Sequence, residues 1–133
     1  MKLLHISDIH TDIEYKEGTN ASCGYPLCCR DESPKTENFT PAGKWGSYAD
    51  CDIPNSTFQQ FVRFVKENFQ PDIAIWTGDN TSHDIWHQSV ERNLENTKEI
   101  TKSFQENFEF SFFPVIGNHE SFPVNVYDFL SNR

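Results

Sequence analysis

Three short clusters of metal-ligating and proton-transferring side chains punctuate this chain: Asp8-Ile9-His10, Gly78-Asp79-Asn80 and Gly117-Asn118-His119-Glu120. Asp8 and His10 are two residues apart, so on an extended backbone both side chains leave the same face. Carboxylate, imidazole and amide-oxygen donors suit a divalent transition metal such as zinc, manganese or iron. A carboxylate such as Asp79 can bridge two metal ions about 3.5–4 Å apart, an arrangement that activates water for phosphoester hydrolysis. The glycines beside Asp79 and Asn118 permit a sharp turn or a close approach to an anion. Any one of these fragments alone is an ordinary turn. The three together read as a metal site, because each follows an apolar run of strand type.

The elements that would position them follow from periodicity. Residues 2–7 form a short apolar run that stops at Asp8, as a buried strand does. From Thr11 to about Asp52 no period persists, and Gly, Pro, Asn and Cys dominate. After Pro54, Ser56 and Gln59 have the spacing of a capping box. Phe58, Phe61, Val62, Val65 and Phe69 then share a helical face, which Pro71 ends. Residues 72–77 make a second apolar strand closed by Gly78. Trp86, Val90, Leu94, Thr97, Thr101, Phe104 and Phe108 step through a long amphipathic helix. Residues 112–116 make a third strand closed by Gly117. Unbroken apolar strands alternating with amphipathic helices predict an α/β fold, a βαβαβ core with a parallel sheet and helices on its faces. In such a sheet the carboxyl ends of the strands face one crevice, so the three polar clusters converge there.

Composition bounds the rest. The chain has 133 residues, 11 basic and 20 acidic, for a net charge of −9, which argues against a phosphate-contacting nucleic-acid surface. A single domain is expected, no apolar run is long enough to span a bilayer, and no basic, apolar leader opens the chain. Four cysteines, Cys23, Cys28, Cys29 and Cys51, sit in the irregular segment. They read as two disulfides or a zinc site, and the absence of a C-x-x-C knuckle favours disulfides. Cross-links would supply the order that a loop of this length otherwise lacks. Sequons at Asn20, Asn38 and Asn55 are glycosylation candidates, whereas a fourth at Asn80 lies too close to Asp79. Disulfides and sequons without a leader suggest a stretch of a longer exported precursor, secreted or lysosomal.

D-x-H, G-D-N and G-N-H-E in this order resemble the calcineurin-like metallophosphoesterase superfamily. The segments Glu17-Gly18-Thr19, Pro26-Leu27-Cys28-Cys29-Arg30, Trp45-Gly46, Cys51-Asp52, His83-Asp84-Ile85-Trp86-His87-Gln88 and Glu120-Ser121-Phe122-Pro123-Val124-Asn125 resemble its acid sphingomyelinase branch. The likeness runs from Leu4 to Val126. It implies two zinc ions per complete site, with Asp8 and His10 holding the first, Asp79 bridging and Asn118 on the second. His119 would help protonate the leaving alkoxide, and His83 would contact the phosphate. The implied reaction splits sphingomyelin at a membrane surface into ceramide and phosphocholine, with no nucleic-acid partner. The implied pairing is Cys23–Cys28 and Cys29–Cys51. Residues 1–133 would be the N-terminal portion of the catalytic domain, half of an α/β/β/α sandwich with a cysteine-rich insertion at 11–52 and an uncovered apolar sheet face. Further histidine ligands belong to later motifs of the family, so these residues alone are expected to be inactive. Alternatives are a nucleotide-cleaving phosphodiesterase of the same family and a non-catalytic binding module. His5 is expected to be buried and hydrogen-bonded, and His87 to follow His83 by one helical turn. Trp76 and Trp86 are expected in core and cleft-wall packing.

Overall fold

A computed structural model describes residues 1–128. Its main sheet has three parallel strands in the order β1-β4-β5: β1 Leu3–Ile6, β4 Ile73–Trp76 and β5 Ser111–Pro114. Leu3 pairs with Ile73 and Ile73 with Ser111, so the three strands run in step and end at the same level. Two-residue strands β2 (Thr11–Asp12) and β3 (Ile53–Pro54) form a separate parallel pair. The helices are α1 Asn55–Asn68 and α2 Val90–Asn107. This is the mixed α/β architecture with a parallel sheet that the periodicity predicts.

Both helices pack on one face of the sheet. Ile6, Ala74 and Trp76 turn toward them, and Phe58, Val62, Val65, Ile100, Phe104 and Phe108 meet them in the core. Full burial of each such side chain contributes on the order of 1.5–3 kcal/mol. Phe104 is the hinge of the cluster, edge-on to Trp76 and to Phe58 at centroid distances of 5.3 and 5.7 Å. The opposite sheet face is open among the described residues, with Leu3 and Phe113 more than half exposed. Alternate strand residues therefore have opposite environments, and the strands are not buried on both sides. His5 sits on this open face, exposed rather than buried, although its Nε2 meets Thr77 Oγ1 at 3.2 Å.

Helix boundaries differ from the periodicity in instructive ways. The capping box does not form: Pro54 takes the N-cap position of α1 without a side-chain bond, and Ser56 Oγ donates instead to the Lys44 carbonyl. A proline there has no N–H to satisfy and its fixed φ suits helix entry. The second helix starts at Val90, not at Trp86, because Ser89 caps it by accepting from the Arg92 N–H at 3.2 Å. His83 and His87 consequently lie before the helix, and Trp86 is about half exposed rather than packed.

The long irregular segment is ordered by cross-links and a buried charge. Disulfides join Cys23 to Cys28 and Cys29 to Cys51. Arg30 is 1% exposed and reaches Asp12 through Nε and Nη2 at 2.8 and 2.9 Å. Its guanidinium also pairs with Asp84 at 3.0 Å and with Glu14 at 2.9 Å. Asn20 is fully buried, with Nδ2 donating to the Pro34 carbonyl at 2.6 Å. A glycan on Asn20 is thus incompatible with this fold, whereas Asn38 and Asn55 are exposed.

Candidate active site

The three polar clusters meet where the parallel strands end. Backbone bonds continue the β1–β4 pairing past the sheet: Asp8 N–H to the Gly78 carbonyl, His10 N–H to the Asp79 carbonyl and Thr11 N–H to the Asn80 carbonyl, at 3.2, 3.1 and 2.9 Å. Asp8, His10 and Asp79 all have positive φ, at 54°, 39° and 57°. The left-handed region is costly for such residues, and strain of this kind collects where function requires an unusual side-chain direction. One donor atom from each of these three residues lies within 4.8 Å of the others.

The His10 ring is held through one nitrogen. Its Nδ1 faces the Thr81 carbonyl at 2.7 Å, an acceptor only, so Nδ1 carries the proton and Nε2 is free to ligate. The backbone N–H of His119 donates to Asp79 Oδ1 at 2.8 Å, which draws the Asn118-His119 turn against the β4 cluster. Asn118 itself is exposed, and its Nδ2 donates to Asn125 Oδ1 at 2.9 Å. Two carboxylates and an imidazole form a donor set that fits a divalent metal ion.

Two further histidines flank this group. The rings of His83 and His119 lie 4.0 and 4.8 Å from that of His10, and 4.8 Å from each other, centroid to centroid. Asp52 holds His83 twice, accepting from its backbone N–H and meeting its Nδ1, each at 2.7 Å. That hydrogen bond, with the Asp52 charge, raises the His83 pKa above the ordinary histidine value against the opposing effect of burial. His119 is shifted the other way, first by burial and then by the charge that His10 and His83 carry when protonated. Its Nδ1 is buried without a hydrogen-bond partner among the described residues. A buried nitrogen with no acceptor beside it is better left unprotonated, so the neutral ring carries its proton on Nε2.

Residues to which the sequence assigns no role of their own hold this arrangement. The Glu120 carboxylate accepts from the N–H groups of Gly117, Asp79 and Asn80 at 2.6, 3.0 and 2.7 Å, and from Asn80 Nδ2 at 2.9 Å. It clamps the β4 and β5 ends together. The two loops are so close that a Cβ on Gly78 would come within 2.7 Å of Glu120 and one on Gly117 within 2.7 Å of the Asp79 nitrogen. Asp52 stands out in the sequence only as a neighbour of Cys51, and the disulfide loop carries it 31 residues along the chain to His83. Glu14, Asp84 and His87 form a second group of potential ligand atoms. Arg30 and Arg92 both pair with Asp84 and Glu14, so that group is a neutralised ion network and not a vacant cation site.

Known proteins bear on this geometry. The chain is 44% identical over 131 residues to sphingomyelin phosphodiesterase B of Dictyostelium discoideum, covering 96% of this chain and 20% of that protein. It is 36% identical over 128 residues to human sphingomyelin phosphodiesterase, covering 95% and 20%. To the endopolyphosphatase of Saccharomyces cerevisiae it is 31% identical over 143 residues, covering 95% and 20%. The chain thus spans about a fifth of the length of each of these relatives. The model of the calcineurin-like phosphoesterase family matches residues 1–133, and to that family this chain belongs.

Proposed function

We propose that this chain supplies the metal-binding face of a zinc-dependent phosphodiester hydrolase acting on sphingomyelin or a related phosphodiester lipid. The observation that carries the proposal is the convergence of Asp8, His10 and Asp79 at the strand ends, with His83 and His119 ringed around His10. In this reading Asp8, His10 and Asp79 would hold one zinc, and Asp79 and Asn118 would hold a second. Bound there, the metal pair would lower the pKa of water and polarise the phosphoryl oxygens.

The chain's own residues do the remainder. Thr81 fixes the tautomer of His10. Asp52 holds His83 through its backbone N–H and Nδ1 and raises its proton affinity, and an imidazolium there would suit a phosphodiester anion. Burial, with the charge of neighbouring imidazoles, lowers the proton affinity of His119 in the free protein. The charge of a bound phosphodiester would raise its proton affinity, and His119 would then give a proton to the departing alkoxide. The sphingomyelin substrate class rests on the relatives' names and on the family segments around the cysteine loop and His83. Two disulfides and the exposed sequons at Asn38 and Asn55 support a secreted or lysosomal setting.

A catalytic zinc takes about three protein ligands. The first metal has three in this chain and the second only Asp79 and Asn118, so the 133-residue polypeptide alone is expected to bind the second zinc weakly and to turn over little. The test is zinc content by mass spectrometry together with hydrolysis of bis(p-nitrophenyl) phosphate and of sphingomyelin. It is made on this polypeptide and on the full-length gene product. Asp79→Asn should abolish zinc loading and activity in the full-length protein. Zinc loading that survives Asp79→Asn sinks the site, and phosphodiesterase activity that spares sphingomyelin sinks the substrate.

A further inference from the structure

The first two turns of α2 invert the pattern that their sequence predicts. Val90 and Leu94, which the helical periodicity turns inward, are 50% and 52% exposed. The inward position goes to Asn93, which is 1% exposed. Burying an amide costs free energy unless its groups are hydrogen-bonded, and an apolar side chain would serve packing better. Departures of this kind from local rules mark positions chosen for something other than stability.

The Asn93 amide serves one loop. Its Nδ2 donates to the carbonyl of Ser121 at 3.1 Å and to that of His119 at 3.2 Å, with the Glu120 carbonyl at 3.5 Å. All three neighbours only accept, so the orientation of the amide is forced. Thr81 Oγ1 donates to the same His119 carbonyl at 2.9 Å. Since the His119 N–H is already bound to Asp79 Oδ1, this backbone unit is held on both sides. One turn further along, Asn96 Nδ2 donates to Thr11 Oγ1 at 3.1 Å, and that hydroxyl donates to the Asn80 carbonyl. The polar inner face of α2 therefore reaches the chain beyond all three strands.

We propose that Asn93 is a positioning residue, which sets the Asn118-His119 turn against Asp79 so that the second-metal ligand and the proton donor stand at working distance. The proposal rests on the reading given under Proposed function. Asn93 touches no reacting atom itself. Its effect runs through the backbone it holds, and displacements of about 1 Å in such frames cost up to about 100-fold in rate.

The test uses the full-length gene product with Asn93→Leu, which fills the space without donors, Asn93→Gln, which keeps a donor, and Thr81→Val. Three quantities are read: kcat and KM on bis(p-nitrophenyl) phosphate, the two steps of a zinc titration against a chromophoric chelator, and amide hydrogen exchange along the chain. Asn93→Leu should lower kcat by roughly 10- to 100-fold, the range seen when groups supporting metal ligands are removed, with KM within about threefold. It should also weaken the second zinc step alone and speed exchange only at residues 119–121, and Asn93→Gln should recover part of each loss. Unchanged kcat and zinc steps overturn the proposal. So does faster exchange throughout the sheet with Asn93→Gln equally impaired, which marks a merely structural role. If Asn93→Leu does not fold, Thr81→Val, which removes one of the two donors to the His119 carbonyl, must show smaller changes of the same sign, and their absence overturns the proposal. A wild-type protein that neither loads zinc nor cleaves the diester defeats the parent reading. Exchange then decides on Asn93 separately, since local acceleration at 119–121 upholds its hold on the loop and any other pattern overturns it.

Discussion

Replacing Arg30 by Met should be the most damaging single change outside the site and the apolar core. The guanidinium is 1% exposed and pairs with two carboxylates, Asp12 and Asp84, whose side chains have no solvent exposure. Removing one partner of a buried ion pair typically costs about 3–5 kcal/mol, because the other charge is left without compensation. Asp84 would keep Arg92 at 3.0 Å and the Ser82 hydroxyl, so its share is the smaller. Asp12 would keep only the Glu14 N–H at 2.9 Å and bears most of the loss. For a chain of this size 3–5 kcal/mol corresponds to a fall in Tm of roughly 10–20 °C. Urea unfolding followed by tryptophan fluorescence at pH 7 measures it. Burial already raises the Asp12 pKa, with the Arg30 hydrogen bond and charge pulling it back down. Without Arg30 it rises further. A folded pKa above the unfolded one favours the folded state at low pH and disfavours it as pH climbs through the folded value. The deficit of Arg30→Met should therefore shrink from pH 7 toward pH 5, and Arg30→Met/Asp12→Asn should recover part of it at pH 7. A loss below about 1 kcal/mol at pH 7, indifferent to pH and to Asp12→Asn, would show that these carboxylates are not isolated from water and would refute the reasoning.

Three further outcomes follow from the same contacts. The chain-entropy relation assigns roughly 3 kcal/mol to the Cys29–Cys51 cross-link, with 22 residues of separation, and about 2 kcal/mol to Cys23–Cys28, with five. Paired Cys→Ser changes should thus lower the urea midpoint more for the first disulfide than for the second. In metal-free protein, NMR titration of the imidazole protons should place His83 above and His119 below the ordinary histidine value, and Asp52→Asn should lower His83 without reversing the order. Because the His83 pKa is raised on folding, its contribution to stability is complete below about pH 6.5 and fades as pH rises through the folded value; Asp52→Asn should remove that acid-side gain. Peptide mapping of protein from a glycosylating host should find glycans at Asn38 and Asn55 and none at Asn20 or Asn80, both of which are buried with their side chains hydrogen-bonded.

Strand positions and the convergence of the three polar clusters are legible in the amino-acid sequence, because both depend on short-range rules. An apolar run closed by Gly-Asp or Gly-Asn has few alternatives to a strand followed by a tight turn, and parallel strands put those turns at one edge. The orientation of α2 is not legible there, because a periodic stripe of Val90, Leu94 and Thr97 competes with Asn93, Ile100 and Ser103 for the inner face. The second set takes it, and what it meets there is tertiary: Ile100 and Phe104 join the core, and Asn93 meets the 119–121 loop. The capping box at Ser56 fails for a similar reason, since Lys44 offers its hydroxyl a partner from across the loop.

The sequence by itself determined the fold class, the order of the three main strands and two helices, and which residue types could ligate a metal. These follow from local propensity and from the chemistry of single side chains. Only the tertiary structure decided that Asp52 grips His83, that Glu120 clamps two strand ends, that Arg30 neutralises Asp12 and Asp84, and that Asn20 is sealed from solvent. Each of those is a hydrogen bond, ion pair or burial between groups far apart in the chain. Its existence depends on how the whole chain closes, and no window of neighbouring residues contains that information.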